Sequence, residues 1–144
     1  MTNRHPASGG VSLLAGAAGL GGAVGALVRW GLTDAFPVST GHFPWVVLVI
    51  NVSGSALLAA LPLLPVARRV PWVAVFLGTG ILGGYTTMSA ASVDTFTLLD
   101  EGHLWLAMSY CLGTLAAALA AVMLVERWSG PEERLLVERA GGDE

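Results

Sequence analysis

The chain has no lysine, a single cysteine and little charge of either sign. Charged residues fill 12% of its 144 positions, about half of what a soluble domain uses to cover its surface. That argues against a water-soluble enzyme. Seven arginines stand against ten acidic residues, which leaves no basic stripe for a phosphate backbone. The lone Cys111 rules out an intrachain disulfide and a cysteine-based zinc site. It sits in an apolar run and reads as a small residue buried between helices. No nucleophile–base pair or metal-ligand cluster stands out. His5, His42 and His103 are scattered in terminal or loop positions. An enzyme is the least supported class.

What the chain has in quantity is apolar surface, with 54% hydrophobic residues. The remaining reading is a small integral membrane protein with one compact unit. Residues 1–8 are short and polar, and the apolar stretch after them is too long for a signal h-region, so no cleavable leader is expected.

About 20 mostly apolar residues cross a bilayer, and four stretches qualify. They run from about Gly9 to Leu32, Pro44 to Leu64, Trp72 to Leu99 and His103 to Val125. The Pro62/Pro65 pair stops the second. Trp30, Trp45, Trp72, Trp105 and Trp128 fall near the span ends, where an aromatic belt meets the headgroups. The expected organisation is a cytoplasmic segment over 1–8, a membrane domain over 9–128 and a polar cytoplasmic tail over 129–144. The tail is either a short surface helix from Glu132 to Arg139 or disordered.

The third span is longer than one crossing requires. Its middle reads Gly80-Ile81-Leu82-Gly83-Gly84-Tyr85-Thr86-Thr87-Met88-Ser89, which is poor helix. Two readings follow: a glycine packing notch, or a discontinuous helix whose freed backbone groups bind an ion.

Arginines set the orientation. Arg4, Arg68, Arg69, Arg127, Arg134 and Arg139 lie at the termini and in the second loop, whereas loops one and three carry Asp34, Asp100 and Glu101. The positive-inside rule then places both termini in the cytoplasm. Gly16, Gly19, Gly21, Gly22 and Gly25 let the first helix approach a neighbour closely. Four helices leave no room for a wide internal pore, so a transport route is expected at a subunit interface, most simply in a dimer.

Polar groups within spans point to function. Arg29 either snorkels to the headgroups or anchors a loop and draws an anion into a vestibule. Asn51, with Ser55 one turn on, either joins helices or donates its amide to an anion. Tyr110 and Thr114 share a helix face, with Ser109 adjacent; hydroxyls also bond back to their own helix. Asp94 caps, pairs with Arg29 or faces water. Neutral donors suit a small anion that must be desolvated without being trapped. A cation path would show acidic rings. A proton-coupled pump would need an embedded carboxylate or histidine, and the first two spans contain none.

These residues resemble a known family. Gly21-Gly22-Ala23-Val24-Gly25-Ala26-Leu27-Val28-Arg29-Trp30 resembles the Gly-Gly-x-x-Gly-x-x-x-Arg-Tyr opening of the Fluc/CrcB fluoride channels. Asn51-Val52-Ser53-Gly54-Ser55 is similar to their Asn-x-x-Gly-Ser. The run from Gly80 to Ser89 is similar to their Gly-x-x-Gly-Gly-x-Thr-Thr-Phe-Ser, with Asp94 where a Glu is usual. The resemblance covers roughly residues 16–128. It implies an all-α fold: a four-transmembrane-helix bundle with a broken third helix, assembling as an antiparallel dual-topology dimer with two narrow fluoride pores. It implies a central structural sodium ion (Na+) on the backbone carbonyls of Gly83 and Thr86, and no organic cofactor. Asn51, Tyr110 and Thr114 match pore-lining positions, with Ser89 and Met88 beside them on the third span. Arg29 and Asp94 take vestibule or structural roles. The implied partners are fluoride, membrane lipid and a second copy or an oppositely oriented paralogue. The implied role is passive export of cytoplasmic fluoride across the plasma membrane.

The departures are specific. The family's Thr-Thr-Phe-Ser-Thr-Phe-Ser reads Thr86-Thr87-Met88-Ser89-Ala90-Ala91-Ser92 here, so both phenylalanines are replaced. The Gly-Thr before the Asn motif reads Val46-Val47, and Ala118 stands where a Ser would extend the polar track. A dual-topology homodimer should also show little arginine bias. Both facts predict a heteromeric pair with an oppositely oriented paralogue that keeps the phenylalanines. Two other readings stand beside it. A non-conducting accessory subunit would suit the lost phenylalanines. A small multidrug-type exporter would need an acidic residue in the first span, and residues 11–33 contain none.

Overall fold

A computed structural model describes residues 8–129. Residues 1–7 and the tail beyond Ser129, including the expected Glu132–Arg139 helix, lie outside the described residues. Long apolar runs have one way to satisfy their backbone in lipid, which is to coil. Four helical stretches are long and apolar enough to cross a membrane: Gly10–Ala35, Trp45–Leu63, Pro71–Asp100 and Leu104–Trp128. Each lies within a few residues of the span read from hydropathy.

The elements are α1 (Ser8–Ala35), α2 (Trp45–Ala60, then a tight turn over Leu61–Leu63), α3 (Pro65–Arg69), α4 (Pro71–Ala74), a π-helical segment (Val75–Leu82), α5 (Gly83–Tyr85), α6 (Met88–Asp100) and α7 (Leu104–Trp128). Prolines open α3 and α4, where a missing N–H costs nothing. Gly102, at φ +82°, ends α6 in the left-handed region that an L side chain resists. Its loop is tied to the first loop by Gly41 N–H donating to Glu101 Oε2 at 2.9 Å.

Two packing sets make up the bundle. α1 lies on the π segment and α5, while α7 lies on α2 and α6. The first set is backbone against backbone. A Cβ at Gly21 would meet the Phe76 carbonyl, one at Gly25 the Ile81 carbonyl, and one at Gly84 the Gly22 carbonyl. The second set is a small side-chain core of Val47, Ala91, Leu98, Ala107 and Tyr110. Tyr110 is fully buried, and its ring meets Phe43 edge-on at 5.3 Å. The outer faces are apolar and exposed, with Leu20, Leu27, Val49, Leu112 and Leu119 among the residues that would meet lipid. All five tryptophans are exposed, as a headgroup belt requires.

Candidate functional site

The third span breaks at its threonines. Thr86 and Thr87 have extended backbone, at φ −72°, ψ 151° and φ −151°, ψ 114°. Gly80, Gly83 and Gly84 before them are still helical. A glycine notch and a helix discontinuity therefore both occur, at different residues. Gly80 and Gly84 form the notch that admits α1, and Thr86–Thr87 form the discontinuity. Thr87 also starts the helix beyond it, since its Oγ1 accepts Ala90 N–H at 3.1 Å as an N-cap.

Side chains from the first two spans attend the break. Arg29 Nε donates to the Gly84 carbonyl at 3.2 Å. Asn51 Oδ1 accepts Thr87 N–H at 2.8 Å, and its Nδ2 donates to the Thr87 carbonyl at 3.0 Å. Asn51 and the Thr87 N-cap between them take the usual helical donors of two carbonyls. The i+4 donor for Gly83 is Thr87 N–H, which goes to Asn51. The i+4 donor for Thr86 is Ala90 N–H, which goes to Thr87 Oγ1. Gly83 and Thr86 are the positions that the resemblance singled out for sodium. A released carbonyl oxygen is a hard donor that suits a small hard cation, so the residues present fit that ion.

Below the break, α2, α6 and α7 enclose an open groove of about 600 Å³. Asn51, Thr86, Thr87, Met88 and Thr114 border it. Among the described residues, none lining it is charged. Most hydroxyls of the bundle bond back to their own helix: Ser92 to the Met88 carbonyl, Thr95 to that of Ala91, Ser109 to that of Leu106. Thr114 differs. It is 6% exposed and its Oγ1 has no hydrogen-bond partner among the described residues. A buried unpaired hydroxyl is costly, and Thr114 is one of the residues that border the groove.

The other predicted residues fall elsewhere. Tyr110 does not line the groove; it lies in the core and donates to Asp94 Oδ2 at 3.0 Å. Arg29 and Asp94 therefore have separate partners and do not pair. Ser89 is exposed and its hydroxyl lies 3.2 Å from that of Thr87. Cys111, expected to be buried, is exposed and borders the groove. Phe96 was missed. It is 68% exposed and lines the groove with Met88, Ala91, Ser92 and Thr95. The spacing i, i+3, i+4, i+7, i+8 from Met88 carried that signal.

Residues 16–125 match the family model described as CrcB-like protein, Camphor Resistance (CrcB). The chain belongs to the CrcB family. Among its CrcB relatives, the Nocardia farcinica protein named fluoride-specific ion channel FluC 2 is 39% identical over 118 residues, covering 76% of this chain and 82% of the relative. The Paracoccus denitrificans protein named fluoride-specific ion channel FluC is 39% identical over 104 residues, covering 72% and 84%. The Streptomyces coelicolor protein named fluoride-specific ion channel FluC 1 is 36% identical over 107 residues, covering 73% and 70%. This CrcB chain is thus a multi-pass membrane protein of a channel family.

Proposed function

We propose that the protein is a subunit of a fluoride channel, through which cytoplasmic fluoride leaves the cell passively across the plasma membrane. The observation that carries the reading is Thr114, which borders a groove with no charged lining residue and whose buried hydroxyl has no partner among the described residues. Such a donor can replace part of an anion's hydration shell without the permanent charge that would trap it. The names of the relatives point to the same ion. An inside-negative potential drives an anion outward, by about 2.3 kcal/mol per 100 mV.

The groove lies open on one side of the bundle, so a second subunit is needed to close it. That subunit is antiparallel, and the arginine bias favours an oppositely oriented paralogue over an identical copy. The cytoplasmic placement of both termini rests on the same bias.

The experiment is fluoride release from liposomes carrying the co-expressed pair. Thr114→Val is expected to reduce flux at least about tenfold, since a hydrogen bond to a charged group contributes about 1.5–3 kcal/mol. Its melting temperature should stay level or rise, because the hydroxyl has no partner to lose. A variant with native flux removes Thr114 from the path. A pair that releases no fluoride removes the fluoride reading.

The Gly83 and Thr86 carbonyls would hold the sodium ion. When bound, it would supply fixed positive charge at the break. The purified protein is expected to melt several degrees higher in a sodium salt than in an N-methylglucamine salt of equal ionic strength. A ligand at a hundredfold excess over its Kd adds about 2.7 kcal/mol. Identical melting in both salts would end the sodium assignment.

A further inference from the structure

The third membrane helix breaks where no proline compels it. In an apolar medium the chain would gain hydrogen bonds by coiling straight through Thr86 and Thr87, so something must compensate for the bonds not made. The compensation comes from one short stretch of α2. Asn51 makes both bonds to the backbone of Thr87, at 2.8 and 3.0 Å, and the pair is buried. This is the double exchange that a facing antiparallel strand residue makes, supplied here by a side-chain amide. Ser53 Oγ lies 3.1 Å from the Tyr85 hydroxyl. Gly54 completes the fit, since a Cβ there would meet Thr86 Cγ2. Three of the four residues from 51 to 54 therefore engage residues 85–87.

We infer that Asn51 is the clamp that holds the third helix broken at Thr86–Thr87. It acts as a positioning residue. By taking Thr87 N–H it withholds that donor from the Gly83 carbonyl, and by holding Thr87 extended it sets where α6 begins. An amide committed on both its oxygen and its nitrogen is fixed in one orientation by its protein partners. The clamp does not depend on which ion the protein conducts.

Amide hydrogen exchange on the full chain in lipid nanodiscs tests this, read on peptides spanning residues 84–90. Asn51→Leu has the bulk of the native side chain without its polar atoms, and exchange there is expected to rise about tenfold or more, the effect of one lost buried hydrogen bond. Asn51→Gln keeps the amide but sets it one methylene further out, and a rise of the same order is expected. Asn51→Asp, read at a pH low enough to protonate its carboxyl, can make both bonds again and should stay within about threefold of the native rate at that pH. Should the leucine variant fail to fold, the glutamine and aspartate variants decide. Native-like exchange in the glutamine variant, or aspartate exchange as fast as glutamine exchange, overturns the clamp. Fluoride flux plays no part in the readout, so this result and the channel reading fail separately.

Discussion

Reconstituted alone, the protein is expected to release fluoride from liposomes no faster than empty vesicles, with flux restored by co-expression with an oppositely oriented relative that carries both phenylalanines. Met88 and Ala91 stand at those two positions and border the groove. A phenyl ring edge is positively polarised and can face an anion. A thioether is a weak acceptor, and a methyl group offers no polar contact. Each lost contact of about 1.4 kcal/mol slows passage tenfold, and two lost in series bring flux toward the leak of the vesicle. Thr114 remains as a donor, but Ala118 one turn further along the groove has no hydroxyl to take the ion onward. A paralogue would supply the missing contacts across the dimer. Robust flux from the lone chain would end the heteromeric reading and keep the fluoride one. No flux from either preparation would end both.

Gly25→Val is expected to abolish the folded protein. The first and third spans meet through their backbones, and a side chain at Gly25 would fall on the Ile81 carbonyl and the Tyr85 nitrogen. Neither is the movable end of a side chain. The helices would have to part, which would also break the approach of Gly80 to Gly21, where a Cβ would stand 2.8 Å from the Gly21 Cα. Overpacking a closed interface costs about 1–3 kcal/mol when side chains can yield. Here the backbone must move along the whole contact, so a loss above about 4 kcal/mol is expected. Size-exclusion chromatography in mild detergent would read it as loss of the monodisperse peak. Gly16→Val is the control, because open space surrounds that position. A Gly25→Val protein that elutes and melts like the native one would overturn the close approach.

The four spans were legible because lipid imposes length and hydropathy on every crossing. The break was legible as a place, and its cause was split between residue types. Glycine runs mark poor helix, but whether one breaks or packs depends on what faces it. Gly80 and Gly84 face α1, which no local pattern states. Tyr110 and Thr114 share a face as their spacing requires, and both are buried. They then part company. Phe43 and Asp94 draw the tyrosine into the core, while Thr114 borders the groove and its hydroxyl is unpaired among the described residues. That difference is set by residues far away in sequence. The same holds for Arg29 and Asp94, whose partners, Gly84 and Tyr110, were not the ones their charges suggested.

The pairing of α1 with the π segment and α5, rather than with α2, has a consequence for biogenesis. A membrane chain is made from its N-terminus, and helices insert before they associate. The glycine face of α1 therefore enters the bilayer with no mate, and α2 does not provide one when it follows. Only when the third span leaves the ribosome does the matching backbone notch exist. Until then, the narrow glycine stripe is in contact with lipid or with the insertion machinery, and the first half of the bundle is an unassembled intermediate. A truncation after α2 should therefore leave two inserted but undocked helices, open to membrane quality-control proteases.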